Sequence, residues 1–419
     1  MTIPYWVQDA VFYQIFPDRF ANGDTHNDPP NKQPWGSPPS SWGFQGGDLR
    51  GIISKFDYLL DLGINALYLN PIFLSPSNHR YNTTDYYKID PRLGDLVDFK
   101  ALLEVAHANQ VRVILDGAFN HCSRGFFGFT DLLENQTNSA YKDWFHVQRF
   151  PINAYSPDPL DTYLGWWGYN SMPKFNTENP RVRRYLLDVA RYWIEMGADG
   201  WRLDVPNEID DDSFWAEFRQ VVKSANRDAY LFGEIWTADT RWVGDDHFDG
   251  LMNYPVRDAV LEFFSGGLLA TGFAERVENL LKLYPREHAY SMYLPLGSHD
   301  TERLRTRLDG EIAKVKLAYT FLFAYPGAPA IYYGDEIGLL GGKDPESRGA
   351  FPWNGESQNH ELKSYLQNMI AIRRRLPVLR RGEYRRIFID DRRQCYIFAR
   401  MLGSERVLVA LNAGSTLRH

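Results

Sequence analysis

Short runs of apolar residues recur along the chain, each followed by a stretch with helical periodicity. They are VFYQIF from Val11, INALYLN from Ile64, VRVILD from Val111, DGWRLDV from Asp199, AYLFGEI from Ala229, GLMNYPV from Gly250, SMYLPLG from Ser291 and AIYYGDE from Ala330. Continuous apolar runs suit parallel strands buried on both faces. Between them lie amphipathic segments such as DFKALLEVAHANQ (98–110) and NPRVRRYLLDVARYWIEMG (179–197). The second opens on Asn-Pro and stops at Gly197, as helices do. Eight strands alternating with helices predict an α/β fold, a (β/α)8 TIM barrel. An open doubly wound sheet ranks second, because no GxGxxG follows the first strand. The spacing from the fifth run to the sixth is short, which predicts a brief or irregular helix there.

Two stretches break the alternation. Residues 121–180 carry loop signals and aromatics with no clean βα pattern, and read as a small inserted domain after the third strand, over the C-terminal face. After Pro377 the runs YRRIFID, QCYIFARM and ERVLVALN lie between turn residues and predict antiparallel strands. The expected domains are a barrel from 1–120 and 181–376, an inserted domain at 121–180, and a C-terminal β domain at 377–419. The last, closing at LNAGSTLRH, is expected to fall short of a complete sandwich.

Composition narrows the partners. A net charge of -7 leaves no basic stripe for phosphates, so nucleic acid is not expected as a partner. The apolar stretch LAYTFLFAYPGAPAIYYG is broken by Pro326, Gly327 and Pro329, so it reads as a buried helix, a turn and a buried strand rather than a membrane span. Cys122 and Cys395 lie far apart with no CxxC spacing and are expected as reduced thiols. MTIPYWVQDA has neither a basic nor a long apolar segment, so no signal peptide is read there and the expected location is cytoplasmic.

In a barrel of this kind catalytic groups sit at the C-terminal ends of the strands. The third strand ends in Asp116, Asn120 and His121. The fourth ends in Arg202, Asp204, Asn207 and Glu208; the fifth in Glu234 and Trp236; the seventh in His299, Asp300, Glu302 and Arg303; the eighth in Asp335 and Glu336. Taken singly, Asp116 and Asp335 read as helix caps or surface charges. Acids converging from several strands, with no GxSxG and no HExxH, point to glycoside hydrolysis, where one carboxyl protonates the leaving oxygen and another attacks or activates water.

DGAFNH (116–121), GWRLDVPNE (200–208), GEIW (233–236) and LGSHDTER (296–303) resemble the four ordered motifs of the α-amylase superfamily. MPKFN (172–176) and VFYQIFPDRFANGD near the start are similar to its neopullulanase, cyclomaltodextrinase and maltogenic amylase branch. The resemblance implies Asp204 as nucleophile, Glu234 as general acid and base, and Asp300 as the third carboxylate. It implies His121 and His299 as binders of sugar hydroxyls, Tyr81 as a stacking aromatic, and Asp344 with Arg348 as a pair on the next sugar; satisfied buried imidazoles, a core tyrosine and a surface salt bridge are the respective alternatives. Trp236 and Trp353 either line the cleft or pack. Arg202 is expected to lower the Asp204 pKa, while neighbouring acids and desolvation raise that of Glu234. Pro206 and Asn82 stand where the branch commonly has alanine and aspartate.

The loop NGDTHND with the later GGD offers Asn22, Asp24, Asn27, Asp28, the Gly46 carbonyl and Asp48. Hard oxygens of this kind suit Ca2+, and the spacing resembles the calcium loop of the same branch; an Asx-rich turn is the alternative. The expected function is a retaining α-glucan hydrolase that cleaves α-1,4 bonds of maltodextrins, cyclodextrins, pullulan or starch, with some transglycosylation. An α-glucosidase, a glucanotransferase and a non-catalytic carbohydrate-binding barrel are the alternatives. Branch members often carry an N-terminal β domain that shapes their dimers; here the first strand starts near Val11, so a monomer or a differently built oligomer is expected.

Overall fold

The structure is a computed structural model that describes residues 3–156, 161–355 and 357–414. Eight strands form one parallel sheet: β1 (Phe12–Ile15), β2 (Ala66–Leu69), β3 (Arg112–Gly117), β4 (Gly200–Leu203), β5 (Tyr230–Gly233), β6 (Gly250–Leu251), β7 (Tyr293–Leu294) and β8 (Ala328–Tyr332). Their order is β6-β5-β4-β3-β2-β1-β8-β7, and a parallel bridge between Met252 and Tyr293 joins the two edges into a ring. This is the barrel that the alternating runs predict.

The helices form where their ends are capped and one face can be buried. Asp95 accepts from the N–H groups of Val97 and Asp98 in a capping box and starts the helix Leu96–Ala108, which buries Phe99, Leu102, Leu103 and Ala106. Asn179 caps Pro180–Glu195, whose buried side includes Leu186, Val189 and Trp193. Between β5 and β6 there is only the 3-10 turn Thr240–Trp242, as the short spacing required. GLMNYPV is a strand for two residues only. Asn253 then caps the helix Tyr254–Ser265, so the apolar NYPV belongs mostly to a helix start. LAYTFLFAYPGAPAIYYG gives the helix Ile312–Ala324, a turn and β8. Among the described residues no helix is long and apolar enough to cross a membrane.

Between β3 and β4 a helix, Phe127–Asn135, and isolated bridges such as Phe145–Phe175 and Val147–Tyr163 surround an aromatic core of Phe126, Phe129, Phe145 and Phe175. The last strands, β9 (Glu383–Asp390), β10 (Cys395–Leu402) and β11 (Glu405–Asn412), form an antiparallel sheet. It packs on the barrel through Tyr396 against Phe273 and Phe398 against Phe321. From residue 415 the LNAGSTLRH segment lies outside the described residues.

The barrel interior positions the site. Phe12, Tyr68, Ile114, Phe232 and Tyr293 fill its lower part, with the Phe232 and Tyr293 rings stacked 4.8 Å apart. Side chains two residues apart point to the same side of a strand. One step beyond Phe12, Tyr68, Ile114 and Phe232 the inward positions are therefore Gln14, Asn70, Asp116 and Glu234. On β4 they are Arg202 and then Asp204. An apolar plug thus ends in a polar layer at the C-terminal rim.

Candidate active site

Arg202 is the centre of that layer. Its side chain is fully buried, and its Nη1 donates to Asp116 Oδ1 at 2.9 Å and to Asp204 Oδ1 at 2.8 Å. Its Nη2 stands 2.9 Å from Glu234 Oε1. Gly200 lets β4 lie this close to β5: a Cβ there would stand 2.0 Å from the Tyr230 carbonyl oxygen. Asp116 is neither a cap nor a surface charge. It is buried, and its Oδ2 accepts from the hydroxyls of Tyr68 at 2.5 Å and Tyr81 at 2.7 Å. Asp335 is likewise buried, paired with Arg303 at 3.0 Å.

Asp300 lies across the rim, with 31% of its side chain exposed, and meets Arg348 at 3.3 Å; Arg348 also meets Asp344 at 3.0 Å. His299 links the two groups. Its Nδ1 faces the amide nitrogens of Gln14 at 3.0 Å and Asn70 at 3.1 Å, which can only donate, so Nδ1 accepts and Nε2 carries the proton. That Nε2 lies 2.6 Å from the Tyr81 hydroxyl and 3.0 Å from Asp300 Oδ2, and the Tyr81 and His299 rings stack at 5.2 Å. His121 follows the same logic. Its Nδ1 faces the Asn120 amide nitrogen at 3.2 Å, and its Nε2 is buried without a partner, a donor left free for a ligand hydroxyl. Burial pushes the His121 pKa down to about 3 and also lowers that of His299, so both rings are neutral.

Burial pushes the Glu234 carboxyl up to about 7, against the pull of Arg202 and with help from Asp300. That is the direction a general acid needs. Asp204 departs from the sequence expectation. Arg202 does pull its pKa down, but burial is the larger effect and the carboxyl sits well above its ordinary range, with Glu234, Asp116 and Asp300 adding to the rise. Four acids thus share the field of one buried guanidinium, and only Glu234 needs to keep its proton at neutral pH.

Trp236 is 46% exposed, and one face of its indole stacks on Tyr254 at 3.8 Å. Trp353 packs against Phe20, Tyr58 and Phe351. Asn82 accepts from the Ser75 hydroxyl at 2.9 Å and ties its own loop. The sequence reading missed Gln14, Tyr68 and Asn70. Their signal was an inward position at a strand end, hidden in apolar runs.

The loop after β1 gathers oxygen donors. Asp28 bonds to the Asn22 amide at 2.7 Å beside Gly46, and Asn27 Oδ1 is buried with no partner. Asp48 spends its oxygens on N–H groups of Gly23, Asp24 and Gly51 and on the Asn27 amide, and Lys32 pairs with Asp28. Asp24 turns to His26. Among the described residues no three His, Cys, Asp or Glu side chains converge to hold a metal. A cation here would need Asn22, Asn27 and the Gly46 carbonyl as well, and would displace Lys32. The orphaned Asn27 oxygen and the hard donor set fit Ca2+ on those terms.

A family model described as the alpha amylase catalytic domain matches residues 14–381. A cyclomaltodextrinase from Geobacillus thermopakistaniensis is 47% identical, over 98% of this chain and 69% of its own. Neopullulanase 2 from Thermoactinomyces vulgaris is 45% identical, over 98% of this chain and 70% of its own. Among solved structures, a cyclic α-maltosyl-(1→6)-maltose hydrolase from Arthrobacter globiformis, in complex with that cyclic sugar, is similar with a TM-score of 0.95 and 45% identity, covering 98% of this chain and 92% of that one.

Proposed function

The chain belongs to the alpha-amylase family of glycoside hydrolases, and on that footing we propose that it cleaves α-1,4 bonds of cyclodextrins and other α-glucans with retention of configuration. The observation that carries this reading is the Arg202 bridge, with Asp204 and Glu234 on adjacent nitrogens of one guanidinium. Two carboxyls so placed are closely apposed, and retaining glycosidases hold theirs roughly 5–5.5 Å apart.

In the first step Glu234 gives its proton to the glycosidic oxygen, and an oxygen of Asp204 forms a bond to the anomeric carbon. The chain beyond the cleavage point leaves with that proton. In the second step Glu234, now a carboxylate, takes a proton from water as the water oxygen replaces Asp204. Two inversions restore the α configuration. Asp300, His121 and His299 hold hydroxyls of the sugar at the cleavage point, and the Asp344–Arg348 pair meets the next sugar. Trp236 offers its free face to the departing side. Both cysteines are unpaired thiols, in keeping with a cytoplasmic location.

The test is reducing-sugar release and product size from β-cyclodextrin, pullulan and soluble starch. Ring opening followed by short maltodextrins supports the reading; products longer than the substrate would make the protein a glucanotransferase, and no release from any substrate would overturn hydrolysis. We further propose that the Asn22–Asp28 loop holds Ca2+ with Gly46 and Asp48 as a structural ion, remote from proton transfer. Calcium should then raise Tm and a chelator should lower it. A Tm unmoved by chelation of calcium-loaded protein contradicts that role.

A further inference from the structure

Val205 follows the nucleophile, and its backbone lies in the left-handed region at φ 36°, ψ 51°. Arg80, Gln110, Gln136, Trp167, Asp309 and Gln394 are the other described non-glycine residues with positive φ; Val205 is the β-branched one. A branched Cβ is strained there, and a proline in the next position restricts the preceding residue further. The strain lies at a strand end beside two reacting groups, where a backbone outlier suggests function.

What the conformation achieves is visible in the bonds around it. The regular ladder ends when Asp204 N–H donates to the Gly117 carbonyl at 3.1 Å and Glu234 N–H donates to the Leu203 carbonyl at 2.9 Å. At Val205 the chain turns out of β4, and its N–H crosses to β5 and donates to Glu234 Oε2 at 3.1 Å. Arg202 stands on the other oxygen, Oε1, at 2.9 Å. The Val205 N–H thus makes the hydrogen bond to the acid, while the Arg202 guanidinium pairs with the other oxygen by charge alone. The turn is fixed from behind: the Val205 carbonyl accepts from Glu208 N–H at 2.9 Å, the Pro206 carbonyl accepts from Ile209 N–H at 3.1 Å, and Pro206 is buried. The Pro206 Cγ lies so close to Gly233, next to Glu234, that a Cβ on Gly233 would stand 3.2 Å from it.

We propose that the left-handed Val205–Pro206 corner is a positioning element for the reaction proposed above, which presents the Val205 N–H to Glu234 Oε2 and fixes the plane of the acid–base carboxyl. This rests on the assignment of Glu234 made above. The N–H also favours the ionised carboxyl and so opposes the effect of burial. The other charged or titratable groups facing Glu234 are Arg202 and Asp204 from β4, Asp116 from β3, Asp300 after β7 and Tyr254 after β6. None of them changes when the N–H alone is removed.

The direct experiment replaces Val205 by its α-hydroxy acid, which turns one amide into an ester and deletes the N–H while keeping the side chain. The alkaline limb of kcat/KM should move up by about one pH unit and kcat should fall about tenfold, with KM within about twofold. Val205→Gly keeps the N–H and tolerates positive φ, so its alkaline limb should stay in place and its Tm should not fall. Pro206→Ala, which loosens the corner, should shift the limb in the same direction as the ester by a smaller amount. An ester protein with an unmoved alkaline limb overturns the proposal, as does a Val205→Gly protein that shifts as far as the ester. Glu234→Gln is run alongside. If it retains activity, the acid–base assignment fails first; if it is inactive while the ester is unshifted, only the positioning inference fails.

Discussion

Two fully buried arginines, Arg202 and Arg373, sit in regions of opposite character. Arg202 stands in the catalytic rim. Burial alone would lower its pKa, but Asp116 and Glu234 raise it well above the ordinary value. Arg373 stands at the seam between the barrel and the C-terminal sheet. Its Nη1 donates to the Phe323 carbonyl at 2.7 Å and its Nη2 to the Gly327 carbonyl at 2.6 Å. Beside it Arg400 donates to the carbonyls of Leu379 at 2.6 Å and Gly382 at 2.8 Å. Burial and the repulsion of Arg400 push Arg373 down to about 9. The seam matches guanidiniums to backbone dipoles and ties helix ends together. The rim sets one guanidinium among an excess of acids. Both regions leave a guanidinium Nε buried without a partner, on Arg373 and on Arg202, and the rim adds the Asn120 oxygen and the His121 Nε2. Desolvated groups waiting for a ligand cost stability and serve chemistry.

The contrast breaks first at the proposed nucleophile. Asp204→Asn should lower kcat by at least about 1,000-fold, because no covalent intermediate can form. Its Tm should hold or rise, since a buried acid has been removed. Initial rates on β-cyclodextrin and a thermal melt check both. A folded variant that keeps a tenth of the turnover would remove Asp204 from the reaction.

The two arginines sharpen it next. Arg202→Met leaves buried acids uncompensated and should cost about 3–5 kcal/mol near pH 8, less near pH 5 where the acids take up protons, with activity lost. Arg373→Met strands carbonyl oxygens and should cost about 2–4 kcal/mol with little pH dependence. The folded fraction should keep kcat within about threefold. Denaturant unfolding at the two pH values separates the cases.

A smaller effect concerns Glu234 alone. Its folded pKa is raised, from 4.5 to about 7. The folded state therefore binds the proton more tightly than the unfolded chain. The contribution is fully present below pH 4.5 and is lost as pH rises through 7, by up to roughly 3 kcal/mol. Glu234→Gln should flatten that part of the stability profile and be the more stable protein at pH 8. An unchanged slope would place the retained proton elsewhere in the cluster.

The sequence shows the two regions unequally. The strands are legible because each is an apolar run of the right length. The acids are legible because strand ends in a barrel point at one rim. GLMNYPV misleads because a proline at a helix start looks like part of an apolar run. Tyr68 and Asn70 stay hidden in INALYLN, since an inward aromatic at mid-strand looks the same whether it plugs the barrel or binds Asp116. The neighbours of Asp204 could be read, but not the sign of its shift. That sign depends on how deeply β4 is buried between β3 and β5, and no residue of the motif reports it. The Arg373 cage is invisible in RRRLPVLRR, because carbonyl partners come from the backbone and leave no trace in side-chain pattern.

The central claim is that Asp204 attacks while Glu234 protonates, and the anomer released first tests it most directly. Proton NMR in the first minutes of β-cyclodextrin or maltodextrin hydrolysis, before mutarotation, should show the α-anomer of the new reducing end. A β-anomer appearing first would mean a single displacement by water, and would contradict the account.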